Sequence, residues 1–108
     1  MKRGDFVTIA LQGDFGKPRP ALVIQADQFH AHDSVTVLLL SSSRIDAPLL
    51  RIDIEPSSQN GLMLSSQIMI DKAMTLRADK IGQVIGQIDA ETMLEVERCF
   101  AVFVGIAK

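Results

Sequence analysis

Gly16-Lys17-Pro18-Arg19-Pro20-Ala21-Leu22-Val23-Ile24 is a loop that turns into a strand. Pro18 and Pro20 have no N–H to donate, so ladder pairing is complete only beyond Pro20. Leu22, Val23 and Ile24 are the β-prone centre of a strand expected over 20–26. Before it, residues 12–18 hold two glycines and a proline and read as the connecting loop. On the far side of that loop, Asp5 to Leu11 alternates Phe6, Thr8 and Ala10 against Val7, Ile9 and Leu11. Both faces are largely apolar, the pattern of a strand covered on each side. The chain therefore opens as two strands joined by a short glycine-containing loop, which points to antiparallel β-structure.

The remaining segments extend that sheet. Val35 to Leu40 is the most apolar strand and is expected at its centre, ended by Ser41-Ser42-Ser43. Leu49 to Ile54 sets Leu50, Ile52 and Ile54 on one face and Leu49, Arg51 and Asp53 on the other. Asn60-Gly61 suits a turn with positive φ, followed by a strand over 62–70. Thr75 to Ile88 has weaker patterning, with a short strand expected at Gln83 to Ile88. The period then changes. Asp89 can cap a helix beginning at Ala90, with Glu91 favoured in its first turn. Met93, Val96, Phe100, Phe103 and Val104 form one apolar stripe, and Gly105 is a natural stop. The expected architecture is mainly β: a strongly curved antiparallel sheet or small SH3-like barrel closed by a C-terminal α-helix.

Composition narrows the function classes. The chain has 108 residues, 47% of them hydrophobic and 22% charged, values of one ordinary globular domain over 1–108. The lone Cys99 allows no internal disulfide and seeds no zinc cluster, which suits a reducing, cytoplasmic compartment. Neither a signal peptide nor a membrane span is expected. The formal net charge of -2 argues against broad, charge-driven grip on duplex DNA. It permits a compact site touching a few phosphates.

The order of several short elements carries a sharper signal. These are Arg3-Gly4-Asp5 before a strand, then the 16–24 segment, Asp46-Ala47-Pro48 and a strand ending Ile54-Glu55-Pro56. Gly61-Leu62, Ile68-Met69-Ile70-Asp71-Lys72, Ile81-Gly82, Ile85-Gly86-Gln87-Ile88 and a helix finishing at Gly105 follow. In this order they resemble the MazF/PemK family of toxins of type II toxin–antitoxin systems, across nearly the whole chain. The resemblance implies a homodimeric, metal-independent endoribonuclease without cofactor. It would cut single-stranded RNA at a short sequence by 2′-OH attack, leaving a 2′,3′-cyclic phosphate, and a cognate antitoxin would hold it inactive.

Arg19 matches the family arginine, and its planar guanidinium suits a phosphate. With a pKa above about 12 it is a transition-state stabiliser before it is a proton donor. Its structural alternative is an ion pair that orients the loop. Ser41 falls where the family commonly has threonine. It keeps the hydroxyl that can donate to the scissile phosphate but loses the methyl that restricts χ1. The alternative is a strand end held by local backbone hydrogen bonds. Ser42, Lys17, Asp14 and Phe15 are further candidates for RNA contact. Asp14 can steer Arg19 or act as a base, or simply form an Asx-turn. Phe15 can stack a base or anchor its loop, in a chain whose only aromatics are five Phe. Relatives often carry tryptophan in the first strand, where Thr8 stands here.

Other residues read as structural or as solvated. His30 and His32 could take part in acid–base chemistry, but lie in a polar loop with no third metal ligand. Asp71 and Lys72 read as structural, at a strand end or a dimer contact. Met63, Met69, Met74 and Met93 read as core or interface filler. Leu49, Leu50, Leu62 and Met63, near turns, suit an exposed apolar patch for self-association. Two alternatives to the nuclease remain: a CcdB-like gyrase poison on the same fold, and an inactive member that only binds antitoxin.

Overall fold

The computed structural model describes residues 1–10, 17–31 and 33–108. Six strands, β1 (Asp5–Ala10), β2 (Pro18–Val23), β3 (Ser34–Ser41), β4 (Arg51–Ile54), β5 (Ser66–Arg77) and β6 (Ile81–Gln87), precede one helix, α1 (Ala90–Phe103). The strands form one sheet in the order β4-β5-β3-β2-β1-β6, and every neighbouring pair is antiparallel. β3 lies inside the sheet, as its apolar run predicts. β2 shows what its prolines do. It pairs with β1 from Pro18 onward but with β3 only from Ala21, so the two strands part at Arg19.

Both faces of β1–β3 are covered. Phe6, Leu22 and Leu38 pack with Ile52, Ile68, Met93 and Val96 in a core beneath α1. Val7, Ile9, Ala21, Val23, Val35 and Val37 form a second cluster. Each fully buried aliphatic or aromatic side chain adds about 1.5–3 kcal/mol, so these two clusters are the main source of stability.

β5 is longer and later than the strand expected over 62–70. It starts at Ser66 and runs to Arg77, through residues whose pattern is mostly polar. Its first half lies between β4 and β3, and its second half pairs with β3 alone. Between Leu38↔Ala73 and Leu40↔Ile68 the register shifts, so Met69 to Lys72 stand opposite the single residue Leu39. This bend curves the sheet. Asp71 lies within it, bonded to Arg51, and Ile70 N–H donates to Leu50 O at 2.9 Å. Asp71 is therefore a mid-strand brace, and not a residue of the strand end.

The two sheet edges, β4 and β6, are joined through the loop after β4. Gln87 N–H donates to Gln59 O at 2.9 Å. A Cβ on Gly61, whose φ is +69°, would lie 1.9 Å from Ile85 O, and one on Gly86 would lie 2.3 Å from Asn60 C. Only glycine allows these backbones to approach so closely. The Asn60-Gly61 turn thus seals a curved open sheet into a barrel-like body.

Asp89 caps α1 as expected: its carboxylate accepts from Thr92 N–H at 3.0 Å and from the Thr92 hydroxyl at 2.9 Å. These bonds, the backbone one first, hold its carboxyl below the usual aspartate value. The buried stripe is Met93, Val96 and Cys99 with Phe100 half-buried. Phe103 and Val104, expected on the stripe, are exposed because the helix has by then passed the core. Leu62 is buried and Leu50 half-buried, so of the expected turn patch only Leu49 and Met63 are exposed. No helix among the described residues is long and apolar enough to cross a membrane.

Candidate functional site

The place where β2 and β3 separate is the mouth of a cavity of about 560 Å³. Lys17, Pro18, Arg19 and Pro20 form one side, and Leu40, Ser41 and Ser42 form another. Thr8 of β1 and Ile85 of β6 contribute to the lining, and Gly61, Leu62, Met63, Leu64 and Ser66 close it from the β4–β5 connection. Four of the six sequence candidates, Arg19, Ser41, Lys17 and Ser42, therefore share one concave surface. Asp14 and Phe15 lie outside the described residues, as does His32.

Strand register brings the first two together. Ala21, Leu22 and Val23 of β2 face Leu39, Leu38 and Val37 of β3. Continued by two residues, that register sets Ser41 opposite Arg19. Pro20 lacks the N–H that would extend the ladder, so the strands splay and their side chains line an opening. Lys17 and Arg19 are exposed there, and Ser41 is half-buried. The Ser41 hydroxyl accepts from Ser43 N–H at 3.1 Å and donates to Ser43 O at 3.2 Å. The expected local serine turn is thus present, and it fixes the hydroxyl at the cavity rim.

The wall from the β4–β5 connection is tightly held. Asn60 is 5% exposed. Its Oδ1 accepts from Ser57 N–H at 3.0 Å and Leu62 N–H at 2.9 Å, while its Nδ2 donates to Glu55 O at 2.8 Å. The Ser65 hydroxyl donates to the Glu55 carboxylate, which also pairs with Arg44. That hydroxyl, and after it Arg44, lower the Glu55 pKa. Sequence reasoning read Asn60 as a turn former, and Met63 as filler or as part of an apolar patch for self-association, not as a wall of this cavity. The signal it passed over was two consecutive apolar residues, Met63-Leu64, directly after a turn.

His30 lies away from this cavity, its Nδ1 against Asp27 O at 2.6 Å. Among the described residues no group of three or more His, Cys, Asp or Glu could hold a metal ion. A separate apolar hollow of about 460 Å³ lies between Leu49, Leu50 and the Val102–Phe103 end of α1.

A curved antiparallel sheet with one C-terminal helix and a cationic, hydroxyl-bearing cleft where β2 leaves β3 defines a small toxin fold. Residues 2–104 match the family described as PemK-like, MazF-like toxin of type II toxin–antitoxin system, and the chain belongs to that family. It is 45% identical over 108 residues, 99% of each chain, to a protein of Mycolicibacterium smegmatis named "Probable endoribonuclease MazF". A mycobacterial endoribonuclease solved in complex with its cognate antitoxin shares the fold with a TM-score of 0.84 at 21% identity, covering 100% of this chain and 98% of that one. Mycobacterium tuberculosis toxin MazF-mt6 does so with a TM-score of 0.80 at 19% identity, over 94% and 96%.

Proposed function

We propose that this toxin is an endoribonuclease that cleaves single-stranded RNA at a short sequence, without a metal or cofactor. The observation that carries the proposal is the meeting of Arg19 and Ser41 at one cavity, on strands whose register sets them opposite each other. The 45%-identical relative bears an endoribonuclease name, which supports the same reading.

The reaction needs little beyond placed charge. The RNA 2′-oxygen attacks the adjacent phosphorus and its proton leaves to a base, for which Asp14 is the sequence's candidate. The phosphorus–O5′ bond breaks, giving a 2′,3′-cyclic phosphate and a 5′-hydroxyl once O5′ takes up a proton. Negative charge gathers on the non-bridging oxygens in between. The Arg19 guanidinium offers them a cationic fork, and the Ser41 hydroxyl adds a neutral donor. Lys17 and Ser42 contact neighbouring phosphates.

The working unit in this reading is a homodimer in the cytoplasm, restrained by a cognate antitoxin. The apolar hollow lined by Leu49 and Phe103, both exposed, suits a self-complementary contact.

The test is cleavage of a long mixed-sequence RNA in EDTA, mapped by primer extension, with wild type beside Arg19→Ala. Removing a preorganised donor to an oxyanion lowers the rate about 10²–10³-fold, and the variant should keep the wild-type circular dichroism. A folded Arg19→Ala that cuts at the wild-type rate rejects the site. Intact RNA together with trapped DNA breaks rejects the activity in favour of a gyrase poison.

A further inference from the structure

The cavity has one wall that phosphate chemistry leaves unused. Met63 is 90% exposed and Leu64 is 63% exposed, yet the bend that carries them is fixed on both sides. Before it, Leu62 is buried and its N–H is held by Asn60, and Gly61 is packed on the β6 backbone. After it, the Ser66 hydroxyl donates to Leu64 O at 2.8 Å. Two large apolar side chains are thus held out to solvent by a tied backbone, at the edge of the cleft that contains Arg19.

We propose that Met63, with Leu64 beside it, is the platform on which a base of single-stranded RNA rests while its phosphate lies at Lys17 and Arg19. This rests on the ribonuclease reading and assigns the base-binding part of the same site. The occupant follows from the two walls. One is cationic and carries hydroxyls; the other is apolar and rigid. A nucleotide joins an anion to a flat ring with apolar faces and matches both at once.

Stacking on Phe, Tyr or Trp is the usual device for such a ring. The chain has no Trp or Tyr, and among the described residues no aromatic side chain lines the cavity. A methionine thioether makes a favourable contact with an aromatic ring. Met63 therefore supplies affinity for bases through its sulfur and its shape, and the width of the cleft between it and Arg19 limits which base fits.

The experiment measures binding of fluorescein-labelled oligoadenylate, oligocytidylate and oligouridylate by anisotropy, beside an abasic ribose-phosphate oligomer of equal length. Wild type should bind the best base-bearing oligomer more tightly than the abasic one. Met63→Gln keeps the length of the side chain but removes the thioether. It should weaken base-bearing RNA about 5- to 10-fold and leave abasic affinity unchanged. Met63→Leu restores the apolar surface without the sulfur and should recover only part of the loss, and Arg19→Ala should weaken both oligomers alike. Since the side chain is exposed, these changes at Met63 leave the fold intact. An unchanged base-to-abasic ratio in Met63→Gln overturns the proposal and leaves the apolar lip as a surface for a protein segment. A wild type that shows the Met63-dependent preference but cuts no RNA rejects the ribonuclease reading alone.

Discussion

Asn60→Ala is the change that most directly tests how the cavity wall is held. The side chain is nearly buried and makes three hydrogen bonds: from Ser57 N–H, from Leu62 N–H, and to Glu55 O. Alanine removes all three, while the backbone bond from Asn60 N–H to the Ser57 hydroxyl at 3.0 Å survives. At about 1 kcal/mol for each bond the loss is about 3 kcal/mol, and more if the buried Leu62 N–H finds no water. For a chain of this size that lowers Tm by roughly 12–16 °C. Ser57→Ala is the internal control, because it removes only the Asn60 N–H bond and should cost about 1 kcal/mol. With no Trp or Tyr to report, unfolding in urea is followed by circular dichroism. Chain concentration is held constant, since self-association would add to apparent stability. If Asn60→Ala costs no more than Ser57→Ala, the wall is held by something other than this network. The same variant should lose RNA affinity, because it frees the bend that presents Met63.

Gly61→Ala and Gly105→Ala separate close packing from backbone conformation. Both glycines have positive φ, but a Cβ at Gly61 meets Ile85 O at 1.9 Å, whereas one at Gly105 meets nothing within 4 Å. In urea unfolding, Gly105→Ala should cost about 1–2 kcal/mol and Gly61→Ala more than about 4 kcal/mol; equal costs would contradict the close approach. Asp89→Ala should cost about 1 kcal/mol at neutral pH through loss of the helix cap. The cap's carboxyl has a depressed pKa in the folded chain. Its stabilisation is therefore full above the ordinary value of 3.8 and is lost as pH falls through the lower folded value. The gap between wild type and Asp89→Ala should hold from neutrality down to about pH 5 and shrink below pH 4; a gap that widens in acid contradicts the assignment.

Where local chemistry decides an element, the sequence is enough to read it. Asp89 before Ala90 caps the helix, Ile52 and Ile54 alternate inward, and Pro20 delays the β2–β3 ladder. Where the partner decides, it is not. Thr75 and Arg77 show no apolar alternation, yet they are strand because Thr36 and Ser34 supply their backbone partners. β6, with Gly82 and Gly86, has little β-propensity. Its glycines are there because Thr8 and Asn60 come too close for any side chain. The β5 start moves from residue 62 to Ser66 because Asn60 takes the Leu62 N–H. As to the candidate site, the positions of Arg19 and Ser41 were legible as motif residues. The Met63 wall was not, since its role depends on a turn docked against a strand more than twenty residues later.

Ser41 shows how the two readings of one residue need not compete. Its hydroxyl forms a local turn with Ser43, and the residue lines the same cavity as Arg19. The family's usual threonine has a methyl that restricts χ1, and serine lacks it. Here the bond from Ser43 N–H to the Ser41 oxygen supplies a comparable restriction from outside the side chain. The hydroxyl proton points to Ser43 O across 3.2 Å, a long bond for two oxygens. A phosphate oxygen is a better acceptor than a peptide carbonyl, because bonds to charged groups are roughly twice as strong. On the ribonuclease reading the proton swings to the phosphate while the Ser43 N–H bond stays in place. That retained bond polarises the hydroxyl and strengthens its donation. The turn that ends β3 then doubles as the device that aims its last residue.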